Sequence, residues 1–114
     1  MKYLLLINSS EQEEETMSPE DGEKLMAAYG TFTQELQAAG VMRGADRLRP
    51  TSTATTVRVR NGETIATDGP FAETKEQLGG YYMIEVKDLD EAIKWAAKVP
   101  SAAYGSVEVR PIWE

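Results

Sequence analysis

The segment Lys2-Tyr3-Leu4-Leu5-Leu6-Ile7-Asn8 decides the fold of this chain. It reads as a β-strand, in which successive side chains point to opposite faces of the sheet. One face then carries Tyr3 and every second residue after it, and the other carries Leu4 and Leu6. Both faces are apolar, and a strand of this kind is normally covered on both sides. The sheet that contains this strand therefore needs two layers of cover.

Two helices are predicted from their caps and apolar spacing. Ser18-Pro19-Glu20-Asp21 is typical of a helix start, because serine can cap, proline suits the first turn and the acids lie at the positive end of the dipole. Gly40 indicates the end of this helix. Asp88-Leu89-Asp90-Glu91 predicts a capping box for a second helix, which Pro100 ends. The segment from Ser9 to Met17 is acidic and aperiodic, and we interpret it as a solvated loop.

Further strands are predicted at 41–45, 81–86 and 106–113. Asn61-Gly62 lies between alternating segments and predicts a β-hairpin over 55–68, because both residues tolerate positive φ. Without this hairpin the order of elements is βαββαβ, the ferredoxin-like arrangement of the α+β class, which has both helices on one face of the sheet. The length of 114 residues fits a single domain, 1–114.

The second face of that sheet has no helix to cover it. We expect the same face of another copy to cover it, which forms a homodimer with a sheet-on-sheet interior. If Val107 and Val109 pack on the helices, charged and polar side chains of two strands face this interior and form a candidate ligand site: Tyr81, Glu85, Glu108 and Arg110. The alternative is a simple Glu–Arg pair or solvent exposure at the rim.

Asp68-Gly69-Pro70-Phe71 begins a shaped loop that ends at Gly79-Gly80. The residues favour a structural interpretation, in which Asp68 is held in an Asx-type turn and the phenylalanine is an apolar plug. Thr74-Lys75-Glu76-Gln77 fits a short helical turn. In the functional alternative, Asp68 acts as a general base or hydrogen-bond acceptor and Lys75 contacts an anion.

The composition argues against several functions. The formal charge of −7 disfavours a nucleic-acid or anionic-membrane surface. The chain has no cysteine and no histidine, so acid–base chemistry requires a perturbed Asp, Glu, Lys or Tyr, and a structural zinc site is not expected. A carboxylate-bound Mg²⁺ or Ca²⁺ is an open alternative with no motif behind it, and no cofactor is expected. No stretch approaches the ~20 apolar residues of a membrane span. The first strand lacks a signal-peptide cleavage site after it, so a cytoplasmic location is expected.

The run from Asp68 to Tyr82 resembles the signature of the DGPF-domain proteins, a branch of the YCII-related family. The resemblance covers nearly the whole chain, through segments that begin at Lys2, Ala54, Asp88 and Gly105. It implies a ferredoxin-like dimeric α/β barrel in a bacterial, cytoplasmic protein. Genes of this family often lie near those of extracytoplasmic-function sigma factors, and most members have no assigned activity.

A related branch of the family includes a dehydrochlorinase of chlorinated aromatic breakdown, which the resemblance associates with a His–Asp pair. This sequence has no histidine, so the pair is not carried over. Asp68 and the strand with Glu108 and Arg110 match the DGPF pattern itself, which has no established catalytic roles.

Three functions follow as hypotheses. The first is a small-molecule-binding, regulatory dimer that takes a small anionic or aromatic ligand between the sheet interior and the 68–80 loop. The second is a lyase or isomerase, in which Asp68 or Glu108 is the base and Arg110 or Lys75 holds an anionic substrate; such a base needs a buried carboxylate that faces a pocket. The third is an interaction module that partners a sigma factor.

Overall fold

The computed structural model describes residues 1–114 as a mixed α/β fold with two antiparallel sheets and three α-helices. Short 3-10 helices lie at Thr51–Thr53 and Pro100–Ala103. In chain order the other elements are β1 (Lys2–Ser9), α1 (Glu11–Glu15), α2 (Pro19–Ala38), β2 (Met42–Arg47), β3 (Thr55–Arg60), β4 (Glu63–Asp68), β5 (Gln77–Glu85), α3 (Leu89–Ala96) and β6 (Ser106–Pro111).

The main sheet has the order β2-β5-β1-β6, and every neighbouring pair in it is antiparallel. The predicted first strand is therefore one of its two central strands. β5 begins at Gln77 rather than at Tyr81, so the double glycine lies inside the strand. β3 and β4 pair only with each other, and neither sheet closes into a barrel.

The hydrophobic core lies on one face of the main sheet. Alternate residues of β1, beginning at Tyr3, are buried there, as are Tyr82 and Ile84 of β5. Both long helices pack on this face through four buried side chains: Phe32, Leu36, Ala92 and Ala96. The Phe32 ring meets Tyr82 edge-on at 5.1 Å between centroids, a favourable arrangement for an aromatic pair.

The predicted helix caps are confirmed. Ser18 Oγ accepts the Asp21 N–H at 3.1 Å, and Gly40 ends α2 with a φ of 72°. The Asp88 carboxylate accepts the Glu91 N–H at 2.9 Å. No helix of the chain is long and apolar enough to cross a membrane.

The predicted solvated loop between Ser9 and Met17 is wrong in part. It contains α1, because Ser10 Oγ accepts the Glu13 N–H and caps this single acidic turn. The sequence did not predict this helix, because Glu11-Gln12-Glu13-Glu14-Glu15 contains no apolar residue and a helix of about one turn is too short to show an apolar periodicity.

The predicted hairpin is confirmed, and it projects from the rest of the molecule. Asn61 and Gly62 adopt positive φ values of 52° and 77° at its turn. The radius of gyration is 16.1 Å, compared with about 13 Å for a compact domain of this length. The molecule extends 48 × 41 × 18 Å, and almost every residue of β3 and β4 is exposed.

Three predictions about the loop between β4 and β5 are wrong. No helical turn forms at 74–77, because Thr74 Oγ1 and the Gln77 amide bond backbone carbonyls within the loop instead. The Asp68 carboxylate accepts no backbone N–H; the turn is held by Gly69, whose N–H donates to the Ala54 carbonyl at 2.7 Å. Phe71 is 79% exposed, so it is not an apolar plug.

Candidate functional site

The face of the main sheet opposite the core, which we call the open face, carries the side chains predicted to point away from the helices. The register places Leu4 opposite Met83 and Arg110, and residues directly opposite one another share a face. Leu6 lies opposite Tyr81 and Glu108 in the same way. Val107 and Val109 pack against the core, as predicted. The open face therefore brings together four of the predicted site residues: Tyr81, Glu85, Glu108 and Arg110.

Each of these four side chains already has a partner in the chain. Tyr81 donates to Asp46 Oδ2 at 2.7 Å, and Arg43 Nε lies 3.1 Å from Glu85 Oε1. Glu108 and Arg110 form an ion pair within β6, because residues two apart in a strand share a face. The open face is thus an apolar strip of Leu4, Leu6 and Met83 between satisfied polar pairs.

The structure places the other two predicted site residues elsewhere. Asp68 ends β4 of the separate hairpin and is exposed. Lys75 lies in the loop before β5, on a groove of about 1070 Å³ that it shares with α1 and Tyr104. We call this the acidic groove, since five glutamates line it and they include Glu11, Glu13 and Glu15. Neither Asp68 nor Glu108 is a buried carboxylate in the single chain.

A second concave region lies where the N-terminal half of α2 meets the ends of β1, β2 and β5. It has a volume of about 860 Å³, and we call it the α2 cleft. Ligand sites commonly have roughly 300–1,000 Å³, mostly apolar walls and a few placed polar groups. The walls here match that pattern, because apolar atoms supply most of the lining surface. The lining includes Ile7, Met17, Leu25, Met26, Tyr29 and Tyr82, with the polar residues Ser9, Glu14, Glu23, Asp46 and Arg47.

Glu14 is fixed in the wall of the α2 cleft by two hydroxyl donors. Ser9 Oγ donates to Glu14 Oε1 at 3.0 Å, and Tyr104 Oη donates to Glu14 Oε2 at 2.9 Å. Tyr104 lines the acidic groove, so this bond separates the groove from the cleft. Burial, together with the hydrogen bond to Glu14, raises the pKa of Tyr104 well above its ordinary value. The phenol therefore stays neutral and acts as a donor at physiological pH.

Tyr29 lies deeper in the α2 cleft, and its hydroxyl is paired with Ser101 Oγ at 2.6 Å. Burial is the main reason that the pKa of Tyr29 is raised. The two tyrosines consequently offer neutral hydroxyl groups rather than a base. No buried side-chain nitrogen or oxygen in the protein lacks a hydrogen-bond partner.

Arg47 is the cation of the α2 cleft. It makes none of the four salt bridges in the chain, and its guanidinium donates only to Met26 Sδ at 3.8 Å. Of the carboxylates in the lining, Glu14 and Asp46 are already hydrogen-bonded. Glu23 is exposed on α2. The arrangement can accommodate an apolar body against the methionines and tyrosines, with a polar group at Arg47.

The double glycine that ends the shaped loop has a structural reason at one position. A Cβ on Gly80 would lie 2.8 Å from the carbonyl oxygen of Asp46, whereas a Cβ on Gly79 would meet its nearest atom at 4.0 Å. Gly80 therefore lets β2 approach β5 closely. Both strands belong to the same chain, and their close approach places Asp46 and Arg47 of β2 at the cleft.

The YCII-related domain model matches residues 1–114, and the chain belongs to this family. An uncharacterized protein from Rhizobium meliloti (strain 1021) is 41% identical over 114 residues, a match that covers 98% of this chain and 92% of the relative.

Sequence reasoning missed the residues of the α2 cleft because they come from separated segments. Glu14 lies among five consecutive residues that are all Glu or Gln. Its partner Tyr104 is ninety positions away. Arg47 is the last residue of β2, and the polar sequence around it has no pattern of its own. Of the predicted site residues, only Tyr81 lines the cleft, together with its neighbour Tyr82.

Proposed function

We propose that this YCII-related protein binds a small aromatic or aliphatic acid in the α2 cleft. The observation that carries the proposal is the cleft itself, which has a volume of about 860 Å³ between α2 and the sheet. Its wall contains apolar side chains and Arg47, which forms no salt bridge. An apolar ligand body would pack on Met26, Tyr29 and Tyr82. Its carboxylate would pair with Arg47, since a guanidinium matches a carboxylate in charge and geometry.

The ligand charge can be tested with three probes of nearly the same shape: benzoate, benzamide and benzamidine. They are an anion, a neutral molecule and a cation on one ring. A ligand at ten times its Kd stabilises a folded protein by about 1.4 kcal/mol, which raises the Tm by roughly 6 °C for a domain of this size. We expect millimolar benzoate to raise the Tm and the two other probes to have smaller effects.

Two variants of the cleft provide matched tests of charge. Arg47→Gln removes a charge-assisted hydrogen bond of about 1.5–3 kcal/mol, so benzoate should bind roughly tenfold more weakly or worse. Glu23→Gln removes a nearby negative charge and should leave benzoate binding equal or stronger. Tighter binding of benzamidine than of benzoate, or benzoate binding that Arg47→Gln does not change, would refute the acid-ligand proposal.

The position of the ligand needs its own measurement. In ¹⁵N–¹H spectra, benzoate should shift the amides of Met26, Tyr29, Arg47 and Gly80, which line the α2 cleft. Shifts confined to Leu4, Leu6 and Met83 would place the ligand on the open face instead, as the sequence predicted, and would contradict the α2 cleft.

We also propose that the fold is the ferredoxin-like βαββαβ arrangement with an inserted hairpin, and that two copies pair through their open faces as a dimeric α/β barrel. Support comes from the strand order β2-β5-β1-β6 and from the two long helices on a single face. The apolar centre of the interface then consists of Leu4, Leu6 and Met83. The charged side chains around it are already paired within each chain, so burial leaves none of them without a partner. A monomer in sedimentation at micromolar concentration would contradict this proposal.

The narrower assignments remain predictions. The DGPF branch is supported by the segment from Asp68 to Tyr82. The lyase or isomerase hypothesis requires a buried carboxylate, and dimerisation could bury Glu108 but not free it from Arg110. The sigma-factor hypothesis has no further support from the contacts described above.

A further inference from the structure

We propose that the β3–β4 hairpin, which we call the arm, packs its Val57 and Val59 side chains against a second copy of this chain. The inference rests on the homodimer proposed above and adds to it a second contact surface. It concerns the part of the molecule that the single chain leaves most exposed.

The arm has an apolar side that nothing in the chain covers. Val57 and Val59 are each 59% exposed, and they share a face because they are two apart in β3. Ala66 lies opposite Val57 on this face. An isolated two-stranded hairpin is at best marginally stable in water. The arm therefore needs a further packing partner to be well ordered.

Hydrogen bonds close the base of the arm and tie the segment before it to α1. Thr56 Oγ1 donates to the Gly69 carbonyl at 2.8 Å, which joins the first strand of the arm to its exit. Thr51 donates to both carboxylate oxygens of Glu11, from its N–H and its hydroxyl, at 2.8 Å each. The arm therefore leaves the body at a defined point beside α1.

The extent of the open face leaves room for the arm to add to a dimer interface. Four strands spaced about 4.8 Å apart and six residues long at about 3.3 Å per residue give a footprint of about 400 Å². A standard stable interface buries about 800 Å² on each partner. One face of the arm has a footprint of about 200 Å² by the same spacings. Each chain then contributes its sheet face, its own arm and the surface beneath the partner's arm, which together approach about 800 Å².

Charge also favours a second copy as the occupant. The arm from Thr55 to Asp68 carries two arginines, one glutamate and one aspartate, so its formal charge is 2 − 2 = 0. The rest of the chain therefore carries the whole formal charge of −7. A neutral arm can approach an acidic partner without the like-charge repulsion that opposes contact between the bodies. A two-fold axis gives both arms the same docking position.

The test compares two faces of the same arm by sedimentation velocity over a range of concentrations. Val57→Thr/Val59→Thr keeps the β-branched shape and strand preference but replaces methyl groups with hydroxyls. Ile65→Thr makes the same kind of change on the opposite face, where Ile65 lies across from Arg58 and is 43% exposed. We expect the double variant to raise the dimer Kd at least tenfold, about 1.4 kcal/mol, and Ile65→Thr to leave it within about threefold.

A variant of the open face separates failure of this inference from failure of the dimer. Leu6→Glu should dissociate the dimer whether or not the arm contributes. If Leu6→Glu dissociates it while the double valine variant does not, the sheet interface stands and the arm proposal is overturned. A wild-type chain that is monomeric overturns both. Circular dichroism establishes that each variant remains folded.

Hydrogen exchange provides a measurement that needs no variant. The amides of β3 and β4 should exchange at least tenfold more slowly above the dimer Kd than below it, because docking stabilises a hairpin that is marginal alone. Equal exchange rates at both concentrations would overturn the arm proposal.

Discussion

Gly80→Ala is expected to destabilise the protein through a single steric contact. The added Cβ would lie 2.8 Å from the Asp46 carbonyl oxygen and 3.4 Å from the Arg47 Cα, and both atoms belong to the backbone of β2. Neither can move without shifting the strand. Because Asp46 and Arg47 both line the α2 cleft, the same shift should also weaken binding of the benzoate probe.

The magnitude follows from two opposing effects. Overpacking of this kind costs about 1–3 kcal/mol, and the reduced entropy of the unfolded chain returns about 0.4–1 kcal/mol. The net loss should be about 1–2 kcal/mol, which lowers the Tm by roughly 4–8 °C in a domain of this size.

The neighbouring glycine provides a matched control. A Cβ on Gly79 would have its nearest neighbour, the Ile7 carbonyl oxygen, at 4.0 Å, which is ordinary contact. Gly79→Ala should therefore be neutral or stabilising by up to about 1 kcal/mol. Urea denaturation followed by circular dichroism measures both. Equal destabilisation by the two substitutions would refute the steric explanation, because only a Cβ at position 80 would approach the Asp46 carbonyl oxygen closely.

Two further predictions concern the core and the tyrosines. Leu36→Ala should cost about 3–5 kcal/mol because Leu36 is fully buried, whereas Leu48→Ala, at a residue 44% exposed, should cost less than about 1 kcal/mol in the same denaturation assay. Burial of Tyr29 and Tyr104 and the Asp46 bond to Tyr81 raise these pKa values, so all three phenols should ionise above the ordinary pKa of about 10 in an absorbance titration. The raised pKa values belong to the folded state, so the phenols' contribution to stability is complete below about pH 10 and is lost as the pH rises further. Tyr104→Phe should reduce this loss of stability at high pH. An unchanged pH dependence in that variant would contradict a raised pKa for Tyr104.

The elements of this fold were predictable where local chemistry and packing agree. The Ser18 and Asp88 caps and the Asn61-Gly62 turn act over a few residues, and all three formed as predicted. The strand faces followed from simple alternation, which correctly separated Val107 and Val109 from Glu108 and Arg110. Local chemistry failed in the loop before β5, where tertiary pairing of Gln77 with Ser9 extended the strand into a segment that reads as a helical turn.

The candidate cleft could not be predicted, because its walls depend on the paths of distant segments. Glu14 reads as a solvated glutamate, and only the meeting of α1, the end of β1 and the segment before β6 brings Ser9 and Tyr104 to it. Arg47 is one of several arginines in a polar stretch. Other arginines such as Arg49 also form no salt bridge, so the place of Arg47 in the cleft follows from the way β2 and α2 lie together, which a sequence alone does not contain.

The segment that begins at Asp68 acquires a different role from the one its residues first suggested. Asp68 is exposed, whereas Gly69 stands at the joint between the arm and the body with a φ of 99°, a conformation open mainly to glycine. Its N–H bonds Ala54 and its carbonyl accepts from Thr56, so both strands of the arm are tied at this one residue. A side chain at Gly69 would therefore strain the base of the arm. In this structure the turn after Asp68 closes the base of the arm that we propose to reach the second copy.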